Sequence, residues 1–371
     1  MNVFLFILFI ISTLNLLCYY LCFFKKFINY HKAYQSISFP PVSILICAKN
    51  EAKNLEKFLP LIYQQDYPEF EVVLINDRSV DETYDIMRSY KRKYPKQTII
   101  TNIPHSKDKR LAQNKKYALT MGIKAARNNH LLFTDADCQP LSKQWIKLMS
   151  TQLNKDKQIV LGYGKYQKQK SWLNKLIRYE TMQTALQYFS YALKGIPYMG
   201  TGRNLAYTKE LFMKNNGFYK HLDVMSGDDD LFVNEVATNT NTAICLKPES
   251  FTESIPKSKW SDYIYQKRRH ITTAKFYQPK HKKLLGLYSL SLLFFWFTSI
   301  YLLISNFLLG WVLTLFILRI LVSWYIQYKS ACKLQEKDLV LFYPFLEIFL
   351  LLFQILIFVI NLFKKPSHWT N

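Results

Sequence analysis

Four stretches of the chain are apolar almost without interruption, over residues 3–24, 284–307, 308–328 and 339–363. Each approaches the roughly 20 residues that carry a helix across a bilayer. The first is longer than a signal-peptide core and runs into Lys25 and Lys26 rather than a small-residue cleavage site, so it reads as a retained anchor. Between the first and second stretches the pattern changes. Short apolar runs at 42–47, 72–75, 98–100 and 131–133 read as strands, bounded by polar turns. They alternate with segments of helical period: Leu55, Phe58, Leu59 and Ile62 on one face, then residues 81–90, then 111–126. This alternation predicts a mostly parallel sheet with helices on both faces. The expected organisation is an anchor over 1–25, an α/β domain over 40–275, and about three membrane helices over 284–363.

In such a sheet Asn50 and Glu51, Asp77, and Asp135 with Asp137 follow the first, second and fourth strands, so all sit at one carboxyl edge. That edge is where open α/β sheets bind ligands. Two carboxylates one residue apart can hold a hard divalent cation, Mg²⁺ or Mn²⁺, with room left for phosphate oxygens. The plain alternative is an acidic turn closing a strand. Further on, residues 159–162 read as another strand. Across 171–194, Trp172, Leu176, Tyr179, Met182, Leu186, Phe189 and Leu193 form a helical stripe with Lys175, Arg178 and Gln187 off it. The stripe faces either a core or, as an interfacial helix, the membrane. A glycine-rich turn, Gly200-Thr201-Gly202-Arg203-Asn204, precedes a short apolar run. The run Asp228-Asp229-Asp230 crowds three carboxylates, which raises one of them toward the range of a general base; equally, the three aspartates cap a helix over 232–237.

Charge adds a direction. The 49 basic and 26 acidic residues leave a net charge of +23. With four spans in the chain, anionic lipid is a more economical partner than nucleic acid, for which no base-reading module is present. Lys25, Lys26 and Lys32, then Lys280, Lys282 and Lys283, then Lys329, Lys333 and Lys337 share one side if every span crosses, which predicts a cytoplasmic α/β domain at the cell membrane. Lys364 and Lys365 then fall outside, a conflict that one re-entrant segment removes. Six cysteines without CxxC spacing suggest neither a disulfide framework nor a zinc site, but buried reduced thiols. Arg319 and Glu347 are charges inside spans, nearly equidistant from the loop 329–338, and are expected to pair.

The motifs at 42–51, 75–83 and 135–137 resemble the nucleotide-sugar half of family 2 glycosyltransferases, which have the GT-A fold. The resemblance implies that Asp77 contacts a uracil base and that the DXD pair Asp135 and Asp137 engages ribose and a diphosphate-bound metal. It implies that Lys115 belongs to the donor site, that Gly202 lies in the segment lining the acceptor pocket, and that Asp229, beside Asp228, is the catalytic base of a GDD-like motif. Residues 266–270 are similar to the QxxRW motif of membrane members, in which Gln266 and Arg269 hold the leaving diphosphate. Arg268 and His270 complete that set, with His270 where the motif has a tryptophan that stacks on the acceptor. The expectation is an inverting, metal-dependent glycosyltransferase with a UDP-sugar donor and a lipid or lipid-linked acceptor. A polysaccharide synthase subunit and a non-catalytic nucleotide- or lipid-binding scaffold are the alternatives; a scaffold needs basic charge but no Asp229.

Overall fold

In the computed structural model, which describes residues 1–31, 38–104, 115–224 and 226–363, the alternating pattern builds the expected sheet. The chain begins with α1 (Asn2–Ile28), which winds as a π-helix over Tyr19–Phe24. Strand β1 (Val42–Ala48) leads to α2 (Ala52–Tyr63), β2 (Phe70–Asn76) to α3 (Thr83–Lys93), and β3 (Thr98–Asn102) to α4 (Lys115–Ala125) and β4 (His130–Asp135). Residues 111–114 of the expected third helix, with Lys32, Lys364 and Lys365, lie outside the described residues. After β5 (Cys138–Pro140), α5 (Trp145–Ser150), β6 (Ile159–Leu161) and β7 (Gly164–Tyr166), the long α6 (Trp172–Leu193) crosses beneath the membrane helices. Then come β8 (Leu205–Thr208), α7 (Lys209–Lys214), α8 (Asp230–Val236), β9 (Thr242–Ile244), β10 (Thr252–Ser254) and α9 (Trp260–Ile271).

The main sheet runs β3-β2-β1-β4-β8-β6-β9, with β8 antiparallel to both neighbours; β5, β10 and β7 form a second, small sheet. Alternate residues along β1 and β2 face opposite layers, as the pleat requires. Ile44, Ile46, Val72 and Leu74 pack against α2 and α5, while Leu45, Val73 and Ile75 pack against α4. Parallel register places Cys47 beside both Ile75 and Asp135, so the polar residues following β1, β2 and β4 emerge together.

Among the described residues, four helices are long and apolar enough to cross a membrane: α1, α10 (Pro279–Ile304), α11 (Leu309–Lys333), and the segment Lys337–Phe363 that contains α12 (Tyr343–Phe363). Helix α10 runs antiparallel to α1. Tyr19 donates to the Leu284 carbonyl at 2.7 Å, Asn15 bonds Ser291 at 2.6 Å, and Tyr301 bonds Asn2 at 3.2 Å. Helix α11 returns to the lower end of α1, where Lys333 Nζ donates to the carbonyls of Phe27, Ile28 and Tyr30 at 2.8, 3.1 and 2.6 Å. These three ends, with their lysines, therefore share the side that carries the sheet. The last helix behaves differently. Asp338, at its approach, pairs with Arg178 of α6, Phe353 stacks on Tyr263 of α9, and Asn361, near its far end, exchanges hydrogen bonds with Arg268 of α9.

The expected Arg319–Glu347 pair forms, with Arg319 Nη1 and Nη2 at 2.7 and 2.9 Å from the two carboxylate oxygens. Helix α6 departs from the one-sided stripe. Arg178, off that stripe, is buried and pairs with buried Glu336 and part-exposed Asp338, because α6 has sheet on one side and membrane helices on the other. The cysteines are free, as expected, but Cys18 and Cys22 point outward from α1 instead of being buried.

Candidate active site

The turn after β1 and the turn after β2 hold each other. Asn50 and Arg78 both adopt left-handed backbone, φ 57° and 58°, a conformation costly for residues with a Cβ. Asn50 Oδ1 accepts from the Val80 N–H at 2.9 Å, and the Asn50 and Glu51 N–H groups donate to the hydroxyls of Ser79 and Thr83. Asp77 is buried, its carboxylate accepting from Arg78 Nε at 2.7 Å.

At the end of β4, Asp135 and Asp137 line a cavity of about 470 Å³. Lys115 lines it too, its Nζ 2.9 Å from Asp135 Oδ1 and 3.1 Å from Asp228 Oδ2. Burial opposes its charge, but the two carboxylates win and hold the ammonium protonated. The next residue, Lys116, is buried and donates to the carbonyls of His221, Val224 and Ser226 at 2.8, 2.6 and 2.7 Å, which pins the strand of chain leading into the aspartates. Gly227 turns that chain with φ 94°, where a Cβ would lie 2.6 Å from Leu231.

The three aspartates then diverge in role. Asp228 pairs with Lys115. Asp230 accepts from the hydroxyls of Thr273 and Tyr277 at 2.6 and 2.7 Å, tying α8 to the segment before α10. Asp229 caps α8, accepting from the Asp230 N–H at 2.8 Å, and also accepts from the Gly202 N–H at 2.6 Å while lining the cavity. Burial, then the charges of Asp228 and Asp230, raise its carboxyl to about 7. The capping and base readings thus fall on the same residue.

Gln266, Arg269 and His270 line the cavity, with Gly202 and Lys115. Burial, then the nearby Lys267 and Arg269 charges, push the His270 imidazole well down, so it is neutral at pH 7. Asn50, Glu51, Asp77 and Arg268 are not among the lining residues; Arg268 turns instead to Asn361. Residues that the motifs did not single out complete the wall. Glu180 of α6 accepts from Tyr263 and from Lys267 Nζ, the latter at 2.8 Å. Arg203 lies over Tyr166. The lining also takes in Leu285, Tyr288, Ser289 and Leu292 of α10 and Glu347, Leu350, Leu351 and Gln354 of α12.

Asp135, Asp137 and Cys138 place one ligand atom each within 4.8 Å of one another. The Cys138 thiol shares a hydrogen bond with Ser254 at 2.8 Å, and burial, then Asp137 and Asp135, push it up, so it stays protonated at neutral pH. Asp137 is raised by burial and by Asp135, the crowding that a divalent cation relieves. Two carboxylates without an imidazole or thiolate suit a hard ion such as Mg²⁺ or Mn²⁺.

Residues 43–214 match the glycosyl transferase family 2 profile. This segment is a family 2 glycosyltransferase domain. Glycosyltransferase AglE of Haloferax volcanii is 31% identical over 110 residues, covering 29% of this chain and 34% of that protein. The 4,4'-diaponeurosporenoate glycosyltransferase of Staphylococcus aureus is 31% identical over 153 residues, covering 39% and 36%. The chain thus spans about a third of the length of the curated relatives it matches. The GT-A fold is shared with a mannosyltransferase from Pyrobaculum calidifontis solved with GDP-Man and Mn²⁺, at a TM-score of 0.60 and 17% identity over 91% of this chain and 98% of that one.

Proposed function

We propose that the protein is an inverting glycosyltransferase that moves a sugar from a UDP-sugar to a lipid or lipid-linked acceptor at the cytoplasmic face of the membrane. The observation that carries this reading is the single cavity joining Asp135, Asp137 and Asp229 to Leu285, Leu292 and Leu350 of the membrane helices. A cavity lined by carboxylates of the sheet edge and also by leucines of the membrane helices suits an amphiphile whose hydroxyl must reach a nucleotide-sugar. The name of the Staphylococcus aureus relative, a 4,4'-diaponeurosporenoate glycosyltransferase, supports a lipid-type acceptor.

In this reading Asp229 accepts the proton of the acceptor hydroxyl as that oxygen attacks the anomeric carbon. The bond from that carbon to the diphosphate breaks, its electron pair staying on the phosphate oxygen, and UDP leaves. A carboxyl near 7 suits a general base at neutral pH. Gly202 N–H and the helix start orient Asp229 by fixing both of its oxygens. Gln266 and Arg269 neutralise charge on the leaving group, and Lys115 bridges Asp135 and Asp228 and screens their repulsion. Asp77 reads the base. Asp135 and Asp137 would hold Mg²⁺ or Mn²⁺, which stabilises a departing diphosphate as a Lewis acid. With His270 in place of the stacking tryptophan, a polymer-extruding synthase is the weaker reading.

The test is nucleotide release from UDP- and GDP-sugars by the full chain in nanodiscs, with Mg²⁺ or Mn²⁺, with and without host lipid extract. Lipid-stimulated UDP release that Asp229→Asn lowers at least 100-fold is expected, on the usual size of general-base effects of about 10²–10⁴. UDP release indifferent to lipid moves the acceptor to a soluble or polymeric glycan. No turnover, with nucleotide binding unaffected by Asp135→Ala, leaves the scaffold reading.

A further inference from the structure

Arg203, in the glycine-rich turn Gly200–Asn204, lines the cavity that Asp135, Asp137 and Asp229 also line. Its backbone is fixed on three sides. Its carbonyl accepts from the hydroxyls of Thr134 and Thr252 at 3.2 and 2.8 Å. The residue before it, Gly202, donates to Asp229, and the residue after it, Asn204, is buried and bonded to Trp145, Tyr163 and Ser250. Strand β7 leaves room for the side chain, because a Cβ at Gly164 would come within 2.8 Å of the Arg203 Cβ. The guanidinium lies 4.1 Å from the centre of the Tyr166 ring, and Nη1 reaches the Lys165 carbonyl only at 3.5 Å.

What distinguishes this cation is its company. Lys115 has Asp135 and Asp228, and Lys267 has Glu180, but among the described residues Arg203 forms no ion pair. A guanidinium that lies over an aromatic ring and lines a polar cavity offers a fork that matches phosphate oxygens two at a time. Its position beside the carboxylate pair puts that fork where the donor's diphosphate must lie if those carboxylates bind its metal.

We propose that Arg203 grips the diphosphate of the nucleotide-sugar donor, and of the nucleotide product after transfer. This rests on the glycosyltransferase reading above. Arg203 takes no proton in the reaction; it fixes the leaving group.

The test is binding of UDP, UMP and uridine, with GDP, GMP and guanosine in parallel, to the full chain in nanodiscs containing MnCl₂, for wild type, Arg203→Gln and Arg203→Lys. Removing a charge-assisted, two-pronged phosphate contact is expected to weaken the preferred nucleoside diphosphate about 10- to 100-fold. Affinity for the corresponding nucleoside should change less than about twofold, and Arg203→Lys should restore only part of the loss, because lysine has no fork. Thermal unfolding of each variant is followed alongside; if Arg203→Gln does not fold, the lysine variant carries the comparison. A parallel fall in diphosphate and nucleoside affinity would mean a structural role and overturn the proposal, as would no fall in either. A wild type that binds neither nucleotide series overturns the donor reading itself, and this proposal with it.

Discussion

Replacing Arg319 by leucine is the most informative single perturbation of the membrane half. The Arg319 side chain is fully buried and that of Glu347 only 4% exposed, so each charge is held chiefly by its partner. Breaking a buried pair from one side costs about 3–5 kcal/mol. Here the orphaned Glu347 keeps Tyr343 at 2.6 Å, Trp296 at 3.0 Å and Tyr20 at 3.5 Å as donors, which places Arg319→Leu near the lower end, about 3 kcal/mol. Glu347→Leu leaves a guanidinium with Tyr20 at 2.7 Å as its remaining hydrogen-bond acceptor and should cost at least as much. The double change removes both charges together, and its cost should fall about 2–3 kcal/mol short of the sum of the singles. Equilibrium unfolding in mixed micelles of rising SDS fraction measures all three. Additive single effects would show that the two side chains sit together without stabilising each other, and would refute the argument.

Three further outcomes are expected. Since the Asp229 carboxyl is raised to about 7, kcat/KM should climb with pH, the base being about one-tenth ionised at pH 6 and nine-tenths at pH 8. The same shift means the folded state holds a proton the unfolded chain has released, so this group's contribution to stability falls as pH rises from about 4 to about 7. A flat acid limb down to pH 5 would remove Asp229 from the role. Lys116→Met strips a charged donor from three buried carbonyls and should cost about 3 kcal/mol in urea unfolding, with nucleotide affinity of the folded protein unchanged; a loss of affinity alone would put Lys116 in the donor site. In a chain freed of its native cysteines, Phe363→Cys should react with an impermeant maleimide from the same face as Val80→Cys and the opposite face from Ile304→Cys, because Asp338 and Asn361 tie the last helix to the sheet domain near both ends. Labelling of Phe363→Cys together with Ile304→Cys would mean a full fourth crossing.

Much of this architecture was legible because it is local. Strands of five to seven residues with buried faces announce themselves by their aliphatic runs, and the parallel rule then carries Asp77 and Asp135 to one edge without any further information. Equal spacing about one loop was enough to pair Arg319 with Glu347. The second sheet was hidden because β5, β7 and β10 have three residues each, too few for any period, and meet only after the chain has folded. Lys116 and Arg203 were missed for a related reason. A lysine next to Lys115 reads as one more helix charge, and an arginine in a glycine-rich turn as solvated; only their partners, 100 or 50 residues away, show them buried against carbonyls or held by two threonines. Arg178 misled for the opposite reason, since a cation off an apolar stripe normally faces water, and here membrane helices cover it.

The grip of Lys333 on the end of α1 also sets an order of events during synthesis. Phe27 and Lys333 are 306 residues apart, so at about 5–20 residues per second the anchor emerges roughly 15–60 s before the lysine that closes its end. For most of that interval α1 lacks α10, and for all of it the carbonyls of Phe27, Ile28 and Tyr30 lack Lys333, while the whole sheet domain is made behind them. The anchor therefore waits on a partner at the other end of the message, and any truncation before α11 would strand a domain with its sheet complete and its tether unclasped.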